Sequence, residues 1–225
     1  MTRRIWLAAA ILFMAVGLWL AAAVLFLPGL LFFPHHRLVG DTPVYASAPI
    51  TPGMEQVLRR ADARLRASPL YRPEVSRSAV YLTDGGVRWR ILSLGSGQAT
   101  ALTRGYLDGV VVRRASIEYD FVWNGRGRSS RTLSGVIAHE KTHILIRDQF
   151  GAAANVTGPR WLIEGYCDHV AGESTLSEKQ AARMVAAGRT SPALFYFQAR
   201  KRVEAALAAN GGSVEALFET RSPTG

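Results

Sequence analysis

The stretch from Val136 to Asp168 restricts this chain more than any other part of it. His139 and His143 are one helical turn apart, with Glu140 beside the first of them, in Val136-Ile137-Ala138-His139-Glu140-Lys141-Thr142-His143. Side chains four apart share one helical face. A helix therefore aims both imidazoles at one point and leaves Glu140 close by, while Val136, Ile137, Ile144 and Leu145 can bury its other faces. The next segment, 149–160, carries Gly151, Gly158 and Pro159 and is long enough to turn the chain back. A second helical pattern follows, with Glu164 and, one turn later, Asp168. Two helices packed face to face are expected, with polar groups between them.

His-Glu-x-x-His on a helix is a metal-binding pattern in which the glutamate serves as general base. The bland alternative is a pair of solvated or core histidines. Catalytic zinc sites use three protein ligands and keep a fourth position open. Glu164 is the expected third ligand beside His139 and His143. Asp168 can reach the ring N–H of a ligating histidine, His139 in the first instance, and such a carboxylate fixes the tautomer and strengthens the ligand. Its rival reading is a surface carboxylate. Cys167 can be read as a fourth ligand, but a small buried residue is the expectation.

These motifs, with Trp161-Leu162-x-Glu164-Gly165 as the second element, resemble the gluzincin branch of the zincin metallopeptidases, which includes the thermolysin-like and smaller peptidase-MA-like domains. The resemblance covers about residues 109–172 and is carried by the motifs. It implies that His139, His143 and Glu164 bind Zn2+, that Glu140 is the general base and that Asp168 is the outer partner. It also implies an edge strand ahead of the metal helix that pairs with extended peptide, for which Gly109–Arg113 or Ile117–Trp123 could serve. Families of this kind often add a Tyr or His that stabilises the oxyanion; Tyr166, His169 and Tyr196 are the candidates here, none of them assigned.

The expected fold class is α+β: a zincin-like domain over 51–225, with a small N-terminal sheet and a mostly helical C-terminal half. Thr51-Pro52 reads as a cap and first helical position, followed by Met54, Val57, Leu58, Ala61 and Leu65 at helical spacing. Ala79–Thr83 reads as a strand. After the turn Asp84-Gly85-Gly86, the alternation of Val87, Trp89 and Ile91 with Arg88 and Arg90 suggests a hairpin, a helical turn being the alternative. Gly109–Arg113 and Ile117–Trp123 are further strands, and Asn124–Ser130 a loop. Helices are expected near 131–149, 161–172, 175–187, 192–209 and 214–220. Thr175 with Glu178 suggests a capping box, and Ser191-Pro192 another helix start.

Ile5 to Phe33 contains no charged residue. This exceeds the roughly 20 apolar residues that span a bilayer, and it exceeds the apolar region of a cleaved signal peptide, about 7–15 residues. The reading is a cytoplasmic start and transmembrane anchor over 1–34, with Arg3 and Arg4 on the cytoplasmic side, and a linker over 35–50. That makes a single-pass membrane protein with its domain extracytoplasmic, in the periplasm or at the cell surface. The small residues Ala46-Ser47-Ala48 suit cleavage but lie beyond the apolar run.

The net charge of +10 comes mostly from scattered arginines without a basic run. A solvated basic surface is expected, attraction to an anionic envelope is the functional variant, and no nucleic-acid partner is expected. The single cysteine excludes an intrachain disulfide and a thiolate cluster. Together these features point to a zinc-dependent endopeptidase acting on peptide or protein. The alternative is a non-catalytic zincin-like binding or assembly module of the cell envelope, against which the presence of Glu140 argues. An intramembrane protease is disfavoured because Lys141 and Arg147 flank only a short apolar stretch.

Overall fold

The computed structural model describes residues 6–7, 10–19, 33–94, 96, 99–104, 107–124 and 127–219, without the side chains of 104, 107 and 128. The fold is α+β. A five-stranded mixed sheet runs in the order β1 (His35–Val39), β2 (Thr42–Ala46), β3 (Ala79–Leu82), β5 (Leu107–Val112), β4 (Ala101–Arg104). Its centre is parallel, β2 to β3 to β5, and each edge is an antiparallel pair. Helix α1 (Gly53–Arg66) and the short α2 (Pro73–Ser76) form the crossover from β2 to β3, and α3 (Val87–Ser93) lies between β3 and β4. A second, three-stranded sheet of β6 (Ala115–Ser116), β7 (Phe121–Asn124) and β8 (Gly127–Arg128) leads into the helical half. That half comprises α4 (Leu133–Phe150), α5 (Ala154–Thr157), α6 (Arg160–Ala171), α7 (Glu178–Ala186), α8 (Pro192–Ala209) and α9 (Val214–Glu219).

Helix α4 is the centre of the molecule. From Leu133 to Thr142 every side chain is buried, because α1, α6 and the strands β4, β5 and β7 surround it. Its N-terminus is heavily capped. Thr132 Oγ1 accepts from the Gly135 amide at 2.9 Å, Asp120 accepts the Ser134 amide at 2.8 Å, and Glu173 accepts the Thr132 amide at 3.2 Å. Carboxylates there satisfy open N–H groups and complement the helix dipole. Arg60 and Arg64 of α1 in turn pair with Asp120 and Glu173. The motif helix is thus clamped to α1 at its N-terminus, ahead of His139.

Helix α6 packs most closely against α8 at Gly165. A Cβ there would lie 2.5 Å from the Ala199 carbonyl oxygen and 2.9 Å from Val203, so only glycine admits this approach. The glycine following Glu164 is a packing requirement that sets where Glu164 sits.

Several expectations are corrected. The transmembrane anchor is not borne out: among the described residues no helix is long and apolar enough to cross a membrane. The helical residues described in that region are 6–7 and 10–19, and ten residues of helix reach only about 15 Å of a core about 30 Å thick. Residues 20–32, and Arg3 and Arg4, lie outside the described residues. Phe33, the end of the apolar run, is buried with Tyr81, Trp89, Leu92 and Val111. The single-pass, extracytoplasmic placement rested on the anchor and is withdrawn with it.

The expected linker contains β1 and β2, paired from His35↔Ala46 to Val39↔Thr42 around Gly40, whose φ is +57°. Ala46, part of the small-residue triplet, is a buried residue of β2. Val87–Ser93 is a helix rather than a strand: Trp89 is buried while Val87 is exposed, as a 100° rotation per residue requires. Of 117–123, only the end is strand, and the expected loop at 124–130 contains β8. Thr51 does not cap α1 through its side chain, the N-cap being Pro52. The capping box of α7 is Ser177 with Gln180, two residues beyond the expected pair. Ser191 caps α8 as expected.

Candidate metal centre

His139 and His143 project from α4 towards α6, with ring centroids 5.1 Å apart. Glu164 of α6 meets them: its Oε2 lies 3.3 Å from His139 Nε2 and 3.8 Å from His143 Nε2. Zinc bonds to nitrogen and carboxylate oxygen are about 2.0–2.2 Å, and ligand atoms on such a tetrahedron stand about 3.3–3.6 Å apart. The His139–Glu164 distance fits that spacing, and the His143–Glu164 distance exceeds it by about 0.2 Å. Glu140 lines the same cleft, a hollow of about 420 Å³ that also takes in Leu102, Thr103, Arg147, Asn155 and Tyr196.

The Nδ1 of His139 lies 2.7 Å from Asp168 Oδ1, which leaves Nε2 for the metal. Asp168 is fully buried, and the same oxygen lies 2.9 Å from the Arg131 guanidinium. A buried carboxylate is costly unless paired in this way. Burial pushes the His139 imidazole down, but hydrogen bonds to Asp168 and Glu164 outweigh it and raise it to about 9. For Glu164 burial acts upward, and His139, His143 and Arg160 overcome it to hold the carboxyl at about 2. The pocket therefore prefers a cationic centre against an ionised Glu164, the preference that a bound dication would satisfy.

His143 is held differently. The Asn155 side-chain amide donates to the His143 carbonyl at 2.8 Å, and its oxygen stands 3.4 Å from His143 Nδ1. Asn155 lies on α5, within the segment that reads from sequence only as a turn.

Cys167 competes for the role of third ligand: His139, His143 and Cys167 each offer a donor atom within 4.8 Å of the others. Glu164 fits better. Its carboxylate is ionised and opens into the cleft. Cys167 is completely buried, and its thiol is pushed well up, first by burial and then by Glu164, Glu140 and Asp168. A metal takes the thiolate, not the thiol.

Among the oxyanion candidates, only Tyr196 faces the cleft, its ring 6.5 Å from that of His139. Burial, with Glu164, raises its phenol, and Arg160, hydrogen-bonded to it, works in the opposite direction. The neutral phenol keeps its donor. Tyr166 is buried and shares a 2.7 Å hydrogen bond with Ser68. His169 sits 4.0 Å from Glu204, outside the cleft. Lys141 points away from the metal face: it is buried, donates to the Ser76 carbonyl at 2.5 Å, and is lowered by burial to about 7.

The strand beside the cleft is β4, an edge of the five-stranded sheet, with Ala101, Leu102 and Thr103 on the wall. Thr103 Oγ1 donates to the Glu140 carbonyl at 2.9 Å, tying strand to motif helix. Gly109–Arg113, expected at an edge, largely forms β5 between β3 and β4 and has no free side. Sequence reasoning missed Arg131, Asn155 and Thr103, whose relation to the motif exists only across elements. In comparisons with known proteins, the sequence matches no protein-family model and no curated protein.

Proposed function

We propose that this chain is a zinc-dependent peptide hydrolase. The observation that supports it best is the convergence of two imidazole Nε2 atoms on one ionised carboxylate, in an open cleft, with a further carboxylate, Glu140, on the same wall. His139, His143 and Glu164 would hold the metal. Zinc in such a site polarises a carbonyl and acidifies water to a pKa near 7. Glu140 takes the proton of the attacking water and passes it to the leaving amine. Asp168 holds His139 in the tautomer that presents Nε2, and Asn155 orients His143. Tyr196, which lines the cleft, is the phenol donor for charge developing on the substrate carbonyl oxygen. Edge strand β4 offers backbone groups for an extended peptide.

A second reading, a non-catalytic metal-binding module, draws on Cys167. With Cys167 as a fourth ligand the set would be closed, as in structural zinc sites.

Metal analysis and peptide digestion by the wild-type and Glu140→Gln chains separate the two. The hydrolase reading expects one zinc in both, and peptide cleavage reduced by roughly 10²–10⁴ in the variant. Full activity in Glu140→Gln would sink the mechanism, and zinc without any cleavage by the wild type would favour the module.

A further inference from the structure

A smaller hollow of about 210 Å³ adjoins the cleft on the other side of Glu140. It shares Ala99, Ala101, His139, Glu140 and Tyr196 with the larger one, so the two adjoin at the candidate centre. Its volume is below the roughly 300–1,000 Å³ of sites for drug-sized ligands and on the scale of a single residue. The walls away from the motif are polar: Asn124, Ser129, Thr175 and Arg131. Arg131 keeps 13% of its side chain exposed. It is ion-paired only to Asp168 among the described residues, through Nη2 at 2.9 Å from Oδ1, and its Nε is buried without a hydrogen-bond partner, as is Asp168 Oδ2. Asp168 Oδ1 is shared with His139, so it does not use the capacity of a five-donor guanidinium.

A mostly buried guanidinium with an unused donor, on the wall of a one-residue pocket, calls for an oxygen acceptor. We infer that this pocket is a substrate subsite that takes an acidic side chain next to the scissile bond, with Arg131 as the residue that selects it. The inference rests on the hydrolase reading for the word substrate, but the pocket's binding preference can be measured without turnover. An acidic side chain there pairs with Arg131 and hydrogen-bonds to the hydroxyl and amide rim. A leucine leaves those donors unsatisfied, and a lysine adds repulsion.

The test uses the zinc-loaded full chain and peptides differing only in Glu, Leu or Lys at each position flanking the scissile bond. The Glu140→Gln chain is titrated with the same peptides for binding. At one of the two positions, Glu should exceed Leu in kcat/KM by roughly tenfold or more, with Lys poorest. Arg131→Met should reduce the Glu-to-Leu ratio to near one, even where loss of the Asp168 pair lowers every rate. Thr175→Glu, which leaves Arg131 and Asp168 in place, should depress Glu peptides and favour Lys. Equal or leucine-preferring turnover in the wild type, or an unchanged ratio in Arg131→Met, would overturn the subsite while leaving the hydrolase reading intact. If the wild type cleaves nothing, yet Glu140→Gln binds Glu peptides in an Arg131-dependent way, the hydrolase reading fails and the acidic pocket stands. Neither cleavage nor binding overturns both.

Discussion

The two histidines of the motif are chemically equivalent in sequence and unequal in the fold. His139 sits in a closed, charged environment: it is almost fully buried, Asp168 holds its Nδ1 at 2.7 Å, and Arg131 backs that carboxylate. His143 is at the open end, with 17% of its side chain exposed, and the neutral Asn155 reaches its Nδ1 only at 3.4 Å. One imidazole is held by a buried carboxylate on a long helix, the other by an amide on a four-residue helix in a connecting segment. The difference teaches that the two imidazoles are anchored unequally. The α4–α6 interface supplies the fixed side, and the segment between them supplies the adjustable one.

Breaking the shared point of the two sides should have the largest effect. Glu164→Ala removes the carboxylate that both imidazoles face, so zinc should be lost in chelator competition together with activity. Wild-type zinc affinity in that variant would assign the third ligand to Cys167 instead. Next comes the fixed side. Asp168→Asn keeps size but removes the charge shared by His139 and Arg131, and zinc affinity or activity should fall by roughly 10–100-fold. The adjustable side should matter least: Asn155→Ala should cost less than Asp168→Asn, because a long neutral contact orients more weakly than a short charged one. Measuring zinc affinity for both variants in the same competition assay checks the order. An Asn155 effect equal to or above that of Asp168 would remove the asymmetry.

Much of this organisation was legible in the sequence. The ends of α4, α6 and α8 fall within a few residues of expectation, because long helices announce themselves through a 3.6-residue apolar period and through caps such as Ser191. Short elements were not. Val87–Ser93 alternates like a strand yet forms a helix, since seven residues carry too little periodicity to decide. His35–Ala46 looks like linker because Pro43 and Gly40 interrupt it, but the first tolerates a strand and the second makes the turn between β1 and β2.

The sequence by itself determined the motif helices and their polar faces, since spacing along a helix dictates direction: His139, Glu140 and His143 must lie near one face, and Glu164 and Asp168 must share another. Tertiary structure alone decided which partners complete those faces. Arg131 reaches Asp168 from the segment before α4, Asn155 reaches His143 from the return segment, Tyr196 arrives from α8, and β4 rather than β5 forms the edge beside the cleft. It also decided that the apolar N-terminal run, taken as a spanning helix from its length, contains among its described residues no helix able to cross a membrane. Local spacing is a property of neighbouring residues along one element. A pair such as Arg131 with Asp168, or an edge such as β4, depends on how separate elements pack, and a linear pattern carries no term for that.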